Sequence, residues 1–467
     1  MGIPSAPAGT PVRSSQSKGQ LLRILGVGFG VAVIVGETIA SGILRTPGEV
    51  AGHLGSYGLI LAAWILGGVY ALICTLSVTE LGTMLPFAGG WYVYSRRAMG
   101  DLAGFLVGCS DAIAQTVSNG YLAVAFGEFA AELQPAFQGY GKLLGVSVLC
   151  ILTLFNWLGL RMGSRAQQLT SLLKALALVA FVVACLVAHP GAVHANVAPQ
   201  HITTANGALL LSLVLSMQAI IMSYDGWYAA IYFAEEDEDP AKNLPRASIG
   251  GVLACATIYI LVNLALFRVL PMSQFAGSHM PVADAAMVVL GRHGKQFILL
   301  ISLVAAASTM NANTMIASRI LFAMARDHMM PRWIARINAG GTPTSALLVG
   351  TLFSIALVLS GSFDTLVGIA SVLVVTNYVS GFTALFILRK KEPTLARPFK
   401  VWGYPWSNLA VLLASAAFLV AVVVADLKDA LFTLVLIALA CPLYLLFIRR
   451  NRVQIPPVIA AAINQVE

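Results

Sequence analysis

Long apolar stretches alternate with short polar ones along the chain, and the stretches set the elements. A helix needs about 20 apolar residues to cross a bilayer. Twelve such runs are found: 21–45, 57–84, 102–132, 140–159, 166–188, 207–234, 247–270, 295–325, 344–360, 364–388, 407–425 and 429–448. Two are interrupted. The first contains Val35-Gly36-Glu37-Thr38-Ile39-Ala40-Ser41-Gly42-Ile43, and the sixth contains Ser223-Tyr224-Asp225-Gly226-Trp227. A broken helix in hydrocarbon leaves N–H and C=O groups unpaired, so breaks persist only where they face protein, water or a ligand. Paired breaks at corresponding positions of two halves point to the binding site of a secondary carrier. Spans 1–5 and 6–10 hold five helices each, so the second set starts on the opposite face. This predicts an all-α integral membrane protein built on a five-plus-five inverted repeat, with two further helices. The expected organisation is a tail 1–20, repeats 21–188 and 207–390, a helix pair 407–448 and a tail 449–467.

Composition agrees with that pattern. The 467 residues are 58% hydrophobic and 10% charged, whereas a soluble protein carries about a quarter charged residues. The net charge of +8 does not signal nucleic acid, because the basic residues lie in short loops and form no patch. Counted by side, 21 of the 28 Lys/Arg fall with the termini. Six fall opposite (Arg45, Lys142, Arg268, Arg292, Lys295 and Lys428), and Lys174 lies inside a span. The bias predicts cytoplasmic termini. The first 20 residues, rich in Ser, Pro and Gly, lack the apolar core of a signal peptide and read as a disordered tail. The six cysteines sit in apolar runs, without metal-ligand spacing, and read as buried thiols with no disulfide framework. The histidines lie mostly near span ends. No metal site and no cofactor are expected.

The breaks carry the candidate chemistry. A half-helix that restarts in mid-membrane presents N–H groups and a positive dipole end. Ser41 and Gly42 stand at such a start in the first span, suited to a carboxylate. Carbonyls around Thr38 and Ile39, and near Ser223 and Tyr224 in the sixth span, suit an ammonium. Together they describe an α-amino acid backbone; the alternative is a close helix crossing through small residues.

The stretch Glu80-Leu81-Gly82-Thr83-Met84-Leu85-Pro86, with Gly89-Gly90 and Tyr92, resembles the end of the second helix in amino acid–polyamine–organocation transporters. Ser223-Tyr224-Asp225-Gly226-Trp227 through Glu235-Glu236 and Asn243-Leu244-Pro245-Arg246 is similar to the sixth helix and following loop of their L-type amino acid transporter branch. Asn156, Gly159, Arg161, Gln167, Lys174, Tyr259, Asn263, Asn311, Ser318-Arg319 and Leu388-Arg389 through Arg397-Pro398-Phe399 match the branch in spacing. The resemblance covers roughly residues 21–450. It implies the LeuT-like fold, with about 12 transmembrane helices of which 1 and 6 are broken, and amino acid transport by alternating access. The substrate-binding candidates are Thr38, Ile39, Ala40, Ser41, Gly42, Met222, Tyr224, Asp225 and Gly226. The coupling candidates are Lys174, Glu37, Tyr259 and Asn311.

Charges inside a membrane are functional candidates by default. The resemblance places Lys174 towards the first and eighth helices, where sodium-coupled relatives hold the ion, which argues against sodium coupling. Glu37 departs from the small or neutral residue usual in the family. It could bind a substrate ammonium, take up a proton or pair with Lys174. Ala40 replaces the usual glycine of the break, and Met222 stands where many relatives carry an aromatic gate residue. Asp225 caps or orients the second break, and Asp111 reads as a structural hydrogen-bonding group. Trp227 and Tyr228 read equally as packing or as pocket lining. The acidic run from Glu235 to Asp239 reads as a solvated loop.

These readings predict a sodium-independent carrier of neutral L-amino acids, working as an exchanger or a proton symporter. The alternative is a carrier of cationic amino acids or polyamines with Glu37 and Asp225 as counter-charges. An intramembrane enzyme would need a Ser/His or metal constellation at depth, and none is present in the sequence. The expected surroundings are membrane lipids, in a bacterial inner (plasma) membrane. The loop at about 133–139 lacks the cysteine through which animal L-type carriers link to a partner, so no disulfide-linked heavy chain is expected.

Overall fold

The computed structural model describes residues 21–40, 42–188, 206–360 and 363–450. It is helical almost throughout, with no strand among the described residues. The helices are α1 (Val27–Thr38), α2 (Gly42–Leu54), α3 (Tyr57–Met84), α4 (Trp91–Met99), α5 (Asp101–Leu133), α6 (Gly141–Trp157), α7 (Leu160–Val187) and α8 (Asn206–Ser223). They continue as α9 (Pro240–Val269), α10 (Met272–Phe275), α11 (Pro281–Leu290), α12 (Arg292–Arg326), α13 (Thr344–Ser360), α14 (Phe363–Lys391), α15 (Trp406–Ala425) and α16 (Leu427–Arg450). Helix covers most of every apolar run read from the sequence. Among the described residues, α3, α7, α9, α12, α15 and the 366–391 stretch of α14 are each long and apolar enough to cross a membrane. The α1/α2 pair, bent by 47°, qualifies as a seventh.

Both interrupted spans are broken. In the first, α1 ends at Thr38 and α2 begins at Gly42. In the sixth, α8 stops at Ser223, a turn follows, and the chain resumes as a 3-10 helix, Ala229–Glu236. Helix α2 extends to Leu54, past the expected edge at 45. It turns amphipathic there, with Glu49 exposed and Val50 and Ala51 buried, so a search for uniformly apolar residues ends too early.

The acidic run is not a solvated loop. Glu236 is fully buried and receives both Nε and Nη2 of Arg319 at 3.0 and 2.9 Å. Glu235 pairs with Arg326 at 2.7 Å. Burial pushes the Asp237 carboxyl above its ordinary range, against hydrogen bonds from Asn243 and the Asp239 N–H. The Glu236 carbonyl accepts the N–H groups of Ile24 and Leu25, and the Glu238 N–H returns to the Leu25 carbonyl at 2.9 Å. The run therefore ties the entry to α1 to the end of the sixth span. Arg319→Met should lower the thermal midpoint in detergent, because removing one partner of a buried pair costs about 3–5 kcal/mol. Adding Glu236→Gln should recover part of the loss; no recovery would show that the arginine acts through other contacts.

Several residues of the family resemblance turn out to be pins between distant helices. Glu80, fully buried, takes Arg389 at 2.8 and 2.6 Å and the Val401 N–H at 2.8 Å. Arg397 approaches the same carboxylate at 3.4 Å. The cysteine expectation is corrected in part. Cys74, Cys109, Cys185 and Cys255 are buried, but Cys150 is exposed and Cys441 intermediate. Cys150 lies among Ile151, Leu154 and Phe155 on an outward apolar face of α6, and lipid-facing positions are as apolar in sequence as interior ones.

Candidate functional site

The two breaks meet. Gly42, where α2 starts, lies so close to the end of α8 that an added Cβ would fall 3.1 Å from the Ser223 Cα. Gly226 has φ +108°, a conformation that side-chain-bearing residues rarely adopt, and a Cβ there would lie 2.7 Å from the Thr38 N. Each glycine thus admits the other span's backbone.

Side chains from three further helices fasten the first break. Lys174 of α7, with no exposed surface, donates from Nζ to the Gly36 carbonyl at 2.7 Å and the Ile39 carbonyl at 2.5 Å. Its burial excludes the snorkelling arrangement open to a lysine near a span end. Thr309 of α12 donates to the same Gly36 carbonyl at 2.9 Å. The Tyr259 hydroxyl of α9 stands between the Thr38 carbonyl at 2.7 Å and the Ser223 carbonyl at 2.9 Å, bridging the breaks. The Thr38 carbonyl also accepts the Ala40 N–H at 2.9 Å. Much of the acceptor capacity that the sequence offered to a ligand is therefore engaged within the chain.

Beside the breaks lies a cavity of about 60 Å³, several times the space one water molecule needs. Of the sequence candidates, Glu37, Thr38, Ala40, Gly42, Met222 and Asp225 line it. Ile39, Tyr224, Gly226, Lys174 and Tyr259 are not among the lining residues and support the wall from behind. Ser41 lies outside the described residues. Asn311 is drawn elsewhere: its amide and carbonyl meet Gln167 at 2.8 Å and Asn156 at 2.7 Å, fastening α12 to α7 and α6. Asp111 accepts the Tyr232 hydroxyl at 2.7 Å, a structural bond between α5 and the sixth span.

Reading the sequence missed Gln115, Ser118 and Tyr121 of α5, Thr309 of α12 and Val374 of α14, all of which line the cavity. The spacing of the α5 trio, every three residues, was the available signal, since such residues share a face. Tyr228 lines the cavity, whereas Trp227 packs among Trp91, Tyr378 and Phe382. Asp225 is held by the Tyr378 hydroxyl. Among the described residues no group of three His, Cys, Asp or Glu could hold a metal ion.

Comparison with known proteins fits this geometry. Residues 30–447 match the amino acid permease family model. The chain is 27% identical to the serine/threonine exchanger SteT of Bacillus subtilis, covering 91% of this chain and 96% of that protein. It is 29% identical to the Asc-type amino acid transporter 1 of Mus musculus, covering 82% and 73%. It is 28% identical to the large neutral amino acids transporter small subunit 2 of Homo sapiens, covering 82% and 72%. That last relative is named as a subunit, so the expected absence of a heavy-chain partner gains no support. The chain belongs to the amino acid permease family of the amino acid–polyamine–organocation superfamily, and is an integral membrane transporter related to L-type amino acid carriers, not an enzyme.

Proposed function

We propose that the protein is a sodium-independent carrier of small neutral L-amino acids that works by alternating access, as an exchanger or a proton symporter. The observation that carries this is the small cavity at the meeting of two broken spans, with a buried lysine fastened to the first. An ammonium held on the Gly36 and Ile39 carbonyls would stand in for the positive charge that a bound cation would bring, as a fixed or a protonatable charge. The size of the cavity and the full-length similarity to a serine/threonine exchanger favour small side chains. In this reading twelve spans cross the membrane. Residues 21–188 and 207–390 form the inverted repeats, 407–448 the added pair, and 1–20 and 449–467 cytoplasmic tails. Thr38, Ala40, Ser41, Gly42, Met222 and Asp225 contact substrate, Ile39, Tyr224, Gly226, Lys174 and Tyr259 hold the breaks and couple their movement, and Asn311 acts at a distance by fastening α12 to α7 and α6. The excess of basic residues on the terminal side supports cytoplasmic termini, and the bacterial relative supports a bacterial plasma membrane. The alternative, a carrier of cationic amino acids or polyamines, draws on Glu37 and Asp225 in the cavity wall, but the Tyr378 bond to Asp225 disfavours it.

Counterflow in sodium-free proteoliposomes tests the proposal. Labelled L-serine should enter vesicles loaded with L-serine, L-threonine or L-alanine, at equal rates in sodium and choline buffers. Loading with L-lysine or putrescine should not drive entry. Strict dependence on sodium, or entry driven only by the cations, would overturn it. Entry into empty vesicles under an inward proton gradient would select the symporter mode.

A further inference from the structure

The two carboxylates of the cavity wall are not equivalent. Asp225 accepts the Tyr378 hydroxyl. Glu37 is 8% exposed, and its Oε2 has no hydrogen-bond partner among the described residues. Lys174 is close enough to interact electrostatically with Glu37, yet both hydrogen bonds described for its Nζ go to the Gly36 and Ile39 carbonyls. The backbone acceptors around Glu37 are largely taken. Gly36 accepts Lys174 and Thr309, while Thr38 accepts Tyr259 and the Ala40 N–H. Two donors fill the two lone pairs of a carbonyl oxygen. A buried carboxylate oxygen without a donor is costly, and an ammonium supplies both the donor and the opposite charge.

From this geometry we infer that the Glu37 carboxylate, and not the backbone carbonyls of the break, receives the ammonium of the transported amino acid. The inference rests on the reading that the cavity is the substrate site. It makes Glu37 a specificity-determining residue for cations at the α-position. A ligand that keeps its ammonium but has its carboxylate esterified should still bind. A ligand that keeps its carboxylate but carries a hydroxyl in place of the ammonium should not, because it leaves Oε2 facing a neutral group.

The test is inhibition of L-serine counterflow by unlabelled L-serine, L-serine methyl ester and L-glycerate, in the wild type, Glu37→Gln and Glu37→Asp. In the wild type, serine and its ester should inhibit and glycerate should not. Glu37→Gln should raise the half-inhibiting concentration of both ammonium ligands at least tenfold and narrow the gap between serine and glycerate. Glu37→Asp, which keeps the charge, should lie between the two. A purely structural role would lower the maximal rate but leave the half-inhibiting concentrations and the gap between serine and glycerate unchanged, and that result would overturn the inference. So would a serine value in Glu37→Gln within twofold of the wild type. If Glu37→Gln is not recovered folded, the wild-type panel decides, and glycerate inhibiting as well as the ester would overturn the assignment. Failure of the wild type to exchange any neutral amino acid would instead overturn the functional reading beneath it.

Discussion

Gly226→Ala is expected to reduce counterflow to less than a tenth of the wild-type rate while leaving the protein inserted and monodisperse. The residue has φ +108°, and its new Cβ would fall 2.7 Å from the Thr38 N and from the Glu37 Cβ and Cγ. Backbone in such a region costs about 1–3 kcal/mol for a residue with a side chain. The overlap adds to that, because a backbone nitrogen cannot swing aside as a flexible side chain can. Relief requires the two breaks to separate, which moves Glu37, Thr38 and Asp225 together and reshapes the cavity they line. Gly26→Ala is the control, since a Cβ there meets nothing within 4 Å. Rates near wild type in both variants would show that the contact between the breaks does not matter for transport.

Lys174→Met should have an effect of similar size by a different route. Methionine keeps an apolar stem but removes the donor at 2.7 Å from the Gly36 carbonyl and at 2.5 Å from the Ile39 carbonyl. Gly36 retains Thr309, so the heavier loss falls on Ile39, at the end of α1. A buried acceptor left without its partner costs about 1–3 kcal/mol. The expected result is at least a tenfold fall in exchange, with a lower thermal midpoint. Lys174→Arg should not rescue it, because a planar fork does not reproduce a point ammonium between two carbonyls. Exchange retained in Lys174→Met would show that the lysine serves folding alone.

The sequence was legible where hydrophobicity changes along the chain, and opaque where it changes around a helix. Apolar runs located the helices, and glycine with polar residues inside them located both breaks, because hydrocarbon leaves few other uses for such residues. The inward face of α5 was not legible. Gln115, Ser118 and Tyr121 reach the cavity, but lipid is as apolar as a protein interior, so the hydrophobic pattern does not fix a helix's rotation. Cys150 shows the same limit from the outside of the bundle. The acidic run failed for another reason: charge alone suggested solvent, and only the fold brings Arg319 and Arg326 to Glu236 and Glu235. In the site itself, the breaks were visible in the sequence, but their prior occupation by Tyr259 and Lys174 depends on contacts between residues more than 100 positions apart in three of the four bonds.

If the cavity between the breaks holds the transported amino acid, substrate should shield its wall from a thiol reagent. Met222→Cys, in a background with Cys150→Ala and Cys441→Ala, places one thiol in the cavity wall while the remaining native thiols stay buried. The measurement is the rate of N-ethylmaleimide labelling of the purified protein with and without L-serine. Serine should slow labelling at least fivefold, with the same concentration dependence as its inhibition of counterflow. Labelling unaffected by serine concentrations that saturate transport would place the substrate elsewhere and contradict this assignment.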